Sequence, residues 1–192
     1  MSNPNHSGEE GYNYFLSAYF PEDQLKLHSF HRLVKSLSGL SAEQFRLKLT
    51  KDFIVSTRDE PFSPSESNQL GMYIEKQWYC LEVKPQSYNK QCPAQSLGPA
   101  VVCELILKNI LDIDAEAKDA LVDYVEDDDN SDHHLDDLAA RVDQELAVVA
   151  FTLCPVSLQQ FRDVVESGKV MPPKSTFFAP KPKSGLLFNS IY

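Results

Sequence analysis

The chain has 192 residues, 42% of them hydrophobic, which is enough to bury a core without a disulfide or metal staple. Its 28 acidic side chains outnumber the 18 basic ones, for a formal net charge of -10, and this argues against a general nucleic-acid binder, which needs a basic face. No apolar run approaches bilayer length, residues 1–6 lack the pattern of a signal peptide, and the four cysteines contain no C-x-x-C pair, so the expectation is a cytoplasmic protein with no membrane partner and no dedicated metal site.

In chain order, residues 1–10 read as a flexible polar lead-in, and the aromatic-rich run 12–20 has the composition of a strand that Pro21 stops. A second extended run at 25–29 would pair with it and carry His28 and His31 near a sheet edge. Ser41 and Gln44 form a capping box, with Leu40 and Phe45 as a hydrophobic staple, and predict a helix to about Lys51. Residues 53–57 predict a strand, 61–68 a loop, and 70–74 with 78–84 a hairpin turning at Glu75, Lys76 and Gln77. Pro99 opens a helix whose Val101, Val102, Leu105, Ile106 and Ile110 share one face. A short strand at 121–125 and an acidic run at 126–132 precede a helix bearing Leu135, Leu138, Val142 and Leu146. Residues 147–153 are apolar on both faces and predict a central strand. A second capping box, Ser157 with Gln160, starts a helix that Gly168 ends. The sum is an α+β fold, a mixed or largely antiparallel sheet flanked by about four helices, as a single domain over 11–192.

Charge is segregated along this layout. Residues 112–145 carry 14 acidic side chains against Lys118 and Arg141, whereas 26–51 carry six basic ones against Glu43 alone. No acidic side chain follows Glu166, yet Lys169, Lys174, Lys181 and Lys183 do, on a backbone stiffened by four prolines. Lys174, Ser175 and Thr176 could offer an ammonium, two hydroxyls and backbone N–H groups to a phosphate or carboxylate, with Lys181 nearby in sequence. His31 and Arg32 could hold an oxyanion and exchange a proton. These six form the candidate ligand site, conditional on the two cationic segments meeting in space. The Asp127 to His134 run fails the calcium-loop pattern, having no Gly at the sixth position and no Glu at the twelfth, and reads as a solvated loop. No nucleotide-loop, hydrolase-elbow or zinc-protease motif occurs, so no catalytic residue and no cofactor is assigned.

A resemblance extends this reading. Gly8-Glu9-Glu10 with Tyr12-Asn13-Tyr14, His31-Arg32-Leu33-Val34, Gly71-Met72-Tyr73 with Trp78-Tyr79, Ala150-Phe151 with Pro155-Val156-Ser157, and above all Met171-Pro172-Pro173-Lys174-Ser175-Thr176 followed by Pro180-Lys181 and Gly185-Leu186 resemble the bacterial family of unknown function DUF1015. The resemblance implies the C-terminal half of a longer or split protein, because typical members carry an upstream half with a Gly-His-His-Arg run that this sequence lacks. It further implies that activity belonging to the upstream half does not transfer. Two functions remain expected in parallel: capture of a small anionic ligand, such as a nucleotide or phosphometabolite, through the His/Arg/Lys patch, or a non-catalytic module or inactive truncated fragment that docks to an N-terminal-half partner chain through the aromatic segment.

Overall fold

A computed structural model describes residues 6–114, 120–127, 134–185, 187 and 188. Most of the acidic run, His133 and Leu186 lie outside those residues. The chain divides into two units, Leu27–Phe177 and a smaller one made of Met1–Lys26 with Phe178–Tyr192.

The larger unit is an α+β domain. Its strands are β2 (Phe30–Val34), β3 (Phe53–Arg58), β4 (Gln69–Ile74), β5 (Gln77–Val83), β6 (Val122–Glu126) and β7 (Val149–Leu153). They form one six-stranded sheet in the order β3-β5-β4-β7-β2-β6, antiparallel throughout. A separate two-stranded sheet joins β1 (Lys26–His28) and β8 (Phe177–Ala179). The helices are α1 (Ala42–Leu49), α2 (Gly98–Val101), α3 (His134–Asp143) and α4 (Leu158–Glu166).

Both capping boxes form as the sequence predicts. The Gln44 N–H donates to Ser41 Oγ at 3.1 Å while the Ser41 N–H donates to Gln44 Oε1 at 3.0 Å, and Ser157 with Gln160 repeats both distances. The hairpin of β4 and β5 also forms, with a tighter turn: Glu75 and Lys76 alone make it, both left-handed at φ 49° and 62°, the geometry that matches strand twist in a two-residue loop. Beyond α2 the helix continues from Val102 to Lys108 with the wider π repeat, seen where the Asn109 N–H reaches back to Glu104 O.

Strand alternation gives the sheet two buried faces. On one face Val34, Met72, Phe151 and Leu153 meet Phe45 and Leu49 of α1 and Val102, Ile106 and Leu107 of the α2 extension. On the other, Leu33, Tyr73 and Ala150 meet Leu138 and Val142 of α3. A satellite cluster joins Val156 and Val164 to Ala94, Leu97 and Ala100. Gly71 is required in β4, because a Cβ there would stand 2.0 Å from Thr152 Oγ1 and 2.5 Å from Phe62 O, the pair that hydrogen-bonds across it at 2.8 Å.

Two expectations fail at the N-terminal end. Residues 12–20 are not a strand: a single turn at Gly11–Asn13 leads into irregular backbone, with Phe15 83% and Tyr19 91% exposed, so β propensity found no ladder partner. His31 is not at a sheet edge. Every residue of β2 is buried, because β7 and β6 flank it on both sides.

Candidate functional site

His31 and Arg32 are adjacent in β2, so the pleat sends them to opposite faces of the sheet. Each has its own partners, and each face has its own chemistry.

On the Arg32 face, the guanidinium is 0% exposed. Nη1 donates to Phe30 O at 2.5 Å and Nη2 to Lys174 O at 3.1 Å, while the group stacks 4.5 Å over the Tyr124 ring, its cross-strand neighbour. Nε has no hydrogen-bond partner, and no described carboxylate pairs with the guanidinium. Burial pushes the Arg32 pKa below its ordinary value, against the opposing pull of Cys103 and Tyr124, yet a guanidinium stays charged at any physiological pH. The result is a buried cation balanced by carbonyl dipoles, a ring face and the Cys103 thiol, with no described carboxylate beside it. The carbonyl it grips is turned inward because Lys174 is left-handed, at φ 54°, a conformation that disfavours a side chain bearing Cβ. Lys174 is exposed and its Nζ lies 5.0 Å above the Phe30 ring. Ser175 is buried, with its hydroxyl donating to Pro172 O at 2.7 Å, and Thr176 is half-buried. The turn at 172–176 is therefore locked from beneath by Arg32 and from within by Ser175.

Of the six sequence candidates, Arg32, Lys174, Ser175 and Thr176 come together on this face. His31 is held on the other one, and Lys181 belongs to the smaller unit. A cleft of about 410 Å3 beside Pro172 and Pro173 is lined by Glu104, Asp112 and Asp114 against Lys108, and its charge does not suit an anion. A second cleft of about 470 Å3 runs from Ser87, Tyr88 and Asn89 to Met171 and Pro172. Lys174 lines neither cleft.

On the His31 face three side chains converge: two from the acidic run that reads in sequence as a solvated loop, and His31 from a strand about a hundred positions earlier. Asp127, the residue directly after β6, and His134, the first residue of α3, meet the buried His31 ring. His31 Nε2 lies 3.3 Å from His134 Nε2 and 3.7 Å from Asp127 Oδ1, and His134 Nε2 lies 3.2 Å from the same Oδ1. The two rings are nearly parallel, 13° apart, with centroids at 5.3 Å. The Leu153 N–H donates to His31 Nδ1 at 3.2 Å, where β7 runs past the last ladder bond to β2. Ser29 supports the group: its carbonyl accepts from the Asp127 N–H at 3.0 Å, and its hydroxyl lies 3.3 Å from Asp127 Oδ2 and 2.8 Å from Leu153 O. Burial pushes the His31 pKa down, outweighing the pull of Asp127. Burial alone would raise Asp127, but the His31 hydrogen bond, the charges of both imidazoles and Ser29 carry it below the ordinary carboxylate value. Among the described residues this is a group of His, Cys, Asp or Glu side chains whose ligand atoms all lie within 4.8 Å of one another.

Fold and site together define an α+β domain with a two-faced antiparallel sheet and a polar cluster on each side of one central strand. The model of a family described as a protein of unknown function, DUF1015, matches residues 1–105, and the chain belongs to that family. Among solved structures, a conserved hypothetical protein from Pyrococcus furiosus is similar, with a TM-score of 0.50 and 14% identity over 85% of this chain and 59% of that one. A free serine kinase in complex with AMP gives a TM-score of 0.48 at 12% identity over 82% of this chain and 55% of that one. SbnI with a C-terminal truncation, from Staphylococcus aureus, gives 0.47 at 15% over 88% and 55%. The chain thus spans a little over half the length of these proteins, and at such identities the likeness is one of fold. No curated protein matches the chain. Among the described residues, no helix is long and apolar enough to cross a membrane.

Proposed function

We propose that this chain is the C-terminal part of a longer or split cytoplasmic protein and presents a preformed cationic turn to a small anionic ligand, such as a nucleotide or phosphometabolite. The observation that carries this reading is the buried Arg32 guanidinium, unbalanced by any described carboxylate and clasping the carbonyl of Lys174 in a chain of net charge -10. A buried cation without a counter-charge is unfavourable, and an anion at the adjacent turn relieves it. Lys174 supplies the direct ammonium contact and Thr176 a hydroxyl. Ser175 and Arg32, both buried, act as positioning residues. His31 faces away and is no part of this contact, and Lys181 belongs to the smaller unit.

The test is titration calorimetry with AMP, ADP and inorganic phosphate. Lys174→Asn removes the ammonium and leaves a residue that tolerates the left-handed turn. A hydrogen bond to a charged group contributes about 1.5–3 kcal/mol, so the variant is expected to bind at least about tenfold more weakly with unchanged thermal stability. Equal affinity in both proteins removes the reading.

A second reading rests on a different observation, the exposure of Tyr12, Tyr14, Phe15, Leu16 and Tyr19 in irregular backbone of the smaller unit. Such a run is the signature of a docking surface for another chain, an N-terminal half of the family type being the partner of choice. A concentration-independent monomer in size-exclusion chromatography, with no capture of that half, counts against it.

A further inference from the structure

The six-stranded sheet ends on β3 at one side and on β6 at the other, and the two edges differ in chemistry. We propose that the β3 edge is a docking surface for a second copy of this chain, which adds its own β3 antiparallel and continues the sheet across a two-fold axis.

Backbone direction comes first. The Lys84 N–H donates to Asp52 O at 2.9 Å, in the register that pairs Ile54 with Glu82, Ser56 with Cys80 and Arg58 with Trp78, so these residues of β3 make their ladder bonds to β5. The N–H and C=O groups of Phe53, Val55 and Thr57 therefore point away from the sheet, and among the described residues no hydrogen bond reaches them. The strand also lacks the usual protections of an edge: it has no proline, no glycine and no charge before Arg58. By contrast β6 carries Asp123 and Glu126 with no basic residue, which disfavours a second copy there.

Charge then selects the register. With the axis on Val55, all three outward residues are used: Val55 meets Val55 of the second copy, and Phe53 and Thr57 meet each other, with two hydrogen bonds for each pair. The same register sets Asp52 opposite Arg58 and Lys51 opposite Asp59, each twice by symmetry. None of these four side chains has an ion-pair partner among the described residues, and Lys51, Arg58 and Asp59 are exposed. Moving the axis to Ile54 or to Ser56 destroys the match, because Asp52 then faces Ser56 or Glu60. Arg58 is already held 4.9 Å over the Phe62 ring, so it has less freedom to lose on pairing. Ile54, 57% exposed, gains Ser56 of the second copy as a cross-strand neighbour.

The experiment is sedimentation equilibrium on the full chain over a range of concentrations, and the expected result is a reversible monomer–dimer equilibrium. Asp52→Lys sets like charge against Arg58, and Arg58→Glu sets it against Asp52. Opposed like charges disfavour strand pairing, here at two symmetric places, so each variant should self-associate about tenfold or more weakly. An equimolar mixture of the two variants restores every charge pair and should form a mixed dimer with the affinity of the unsubstituted chain. Thr57→Pro removes an outward N–H at an exposed edge position that tolerates proline, and should dissociate the dimer without unfolding the chain. Circular dichroism establishes that each variant is folded. Removal of residues 1–21 leaves β3 intact and should leave the dimer unchanged. A chain that stays monomeric at every concentration overturns the proposal, as does association indifferent to these substitutions or a mixture that fails to recover. Association lost with residues 1–21 overturns it too, by assigning the contact to the aromatic run.

Discussion

Tyr73 shows how a single residue couples the two-faced sheet to pH. Its ring packs against Trp78 with centroids at 5.0 Å, and its hydroxyl donates to both carboxylate oxygens of Asp143 at 3.2 Å, tying β4 to the end of α3. Burial, then the Asp143 hydrogen bond and charge, hold the phenol above its ordinary pKa of 10.0. The folded state therefore keeps a proton that the unfolded chain gives up, so this contribution is complete below pH 10 and is lost as pH rises through the folded value. Tyr73→Phe is expected to cost about 1 kcal/mol at neutral pH, a drop of about 2–4 °C in Tm, and the gap from wild type should close above about pH 10. Thermal melts across that range check it; a constant gap would mean that the hydroxyl is idle.

Individual residues were the least legible level in the sequence. Arg32 and Lys174 could be singled out by their types, but the bond between them spans 142 positions, and no local pattern reveals it. The alternation that separates His31 from Arg32 follows from the strand at Phe30–Val34, whose sequence lacks a clear strand pattern. Two polar, ionisable side chains in a run of five hid it, because they become tolerable in a central strand only once Lys174 O, Phe30 O, Asp127 and His134 are there to receive them.

At the level of elements the sequence was far more informative, because the signals are local. The capping boxes at Ser41 and Ser157 set two helix starts, and the all-apolar 147–153 run marked β7 as interior. The π repeat after Val101 was not readable, since its buried residues also satisfy the ordinary helical spacing. The hairpin turn is where the chain leaves stability unused. Lys76 is left-handed without being Gly, while its neighbour Glu75 is pinned by Arg46 at 2.7 Å. Lys76→Gly removes the steric penalty at the price of extra freedom in the unfolded chain, and the balance favours the folded state by about 0.5–1 kcal/mol. Chemical denaturation should show the variant more stable with an unchanged slope. A less stable variant would mean that the lysine stem makes contacts that outweigh its strain.

Across the whole molecule, sheet, helices and all three apolar clusters fall within Leu27–Phe177, whereas the smaller unit holds the exposed aromatic run. The strand order explains why this division escaped the sequence: β2 lies between β7 and β6, partners about a hundred positions away, so residues 25–29 read as if they belonged with the aromatic run before them. The α+β class and antiparallel sheet were legible because they need only element types, while the assignment of residues 12–20 to the sheet needed partners that propensity cannot name. Removal of residues 1–21 is therefore expected to leave the Tm of the sheet unfolding transition within about 2–4 °C of the full chain, the shift that about 1 kcal/mol produces at this size. The same deletion strips away Phe15 and Tyr19, so any capture of an N-terminal-half partner by the full chain should disappear. Differential scanning calorimetry and sedimentation on the two proteins read both effects. A large drop in Tm would show that the aromatic run is part of the fold, and unchanged capture would place the docking surface elsewhere.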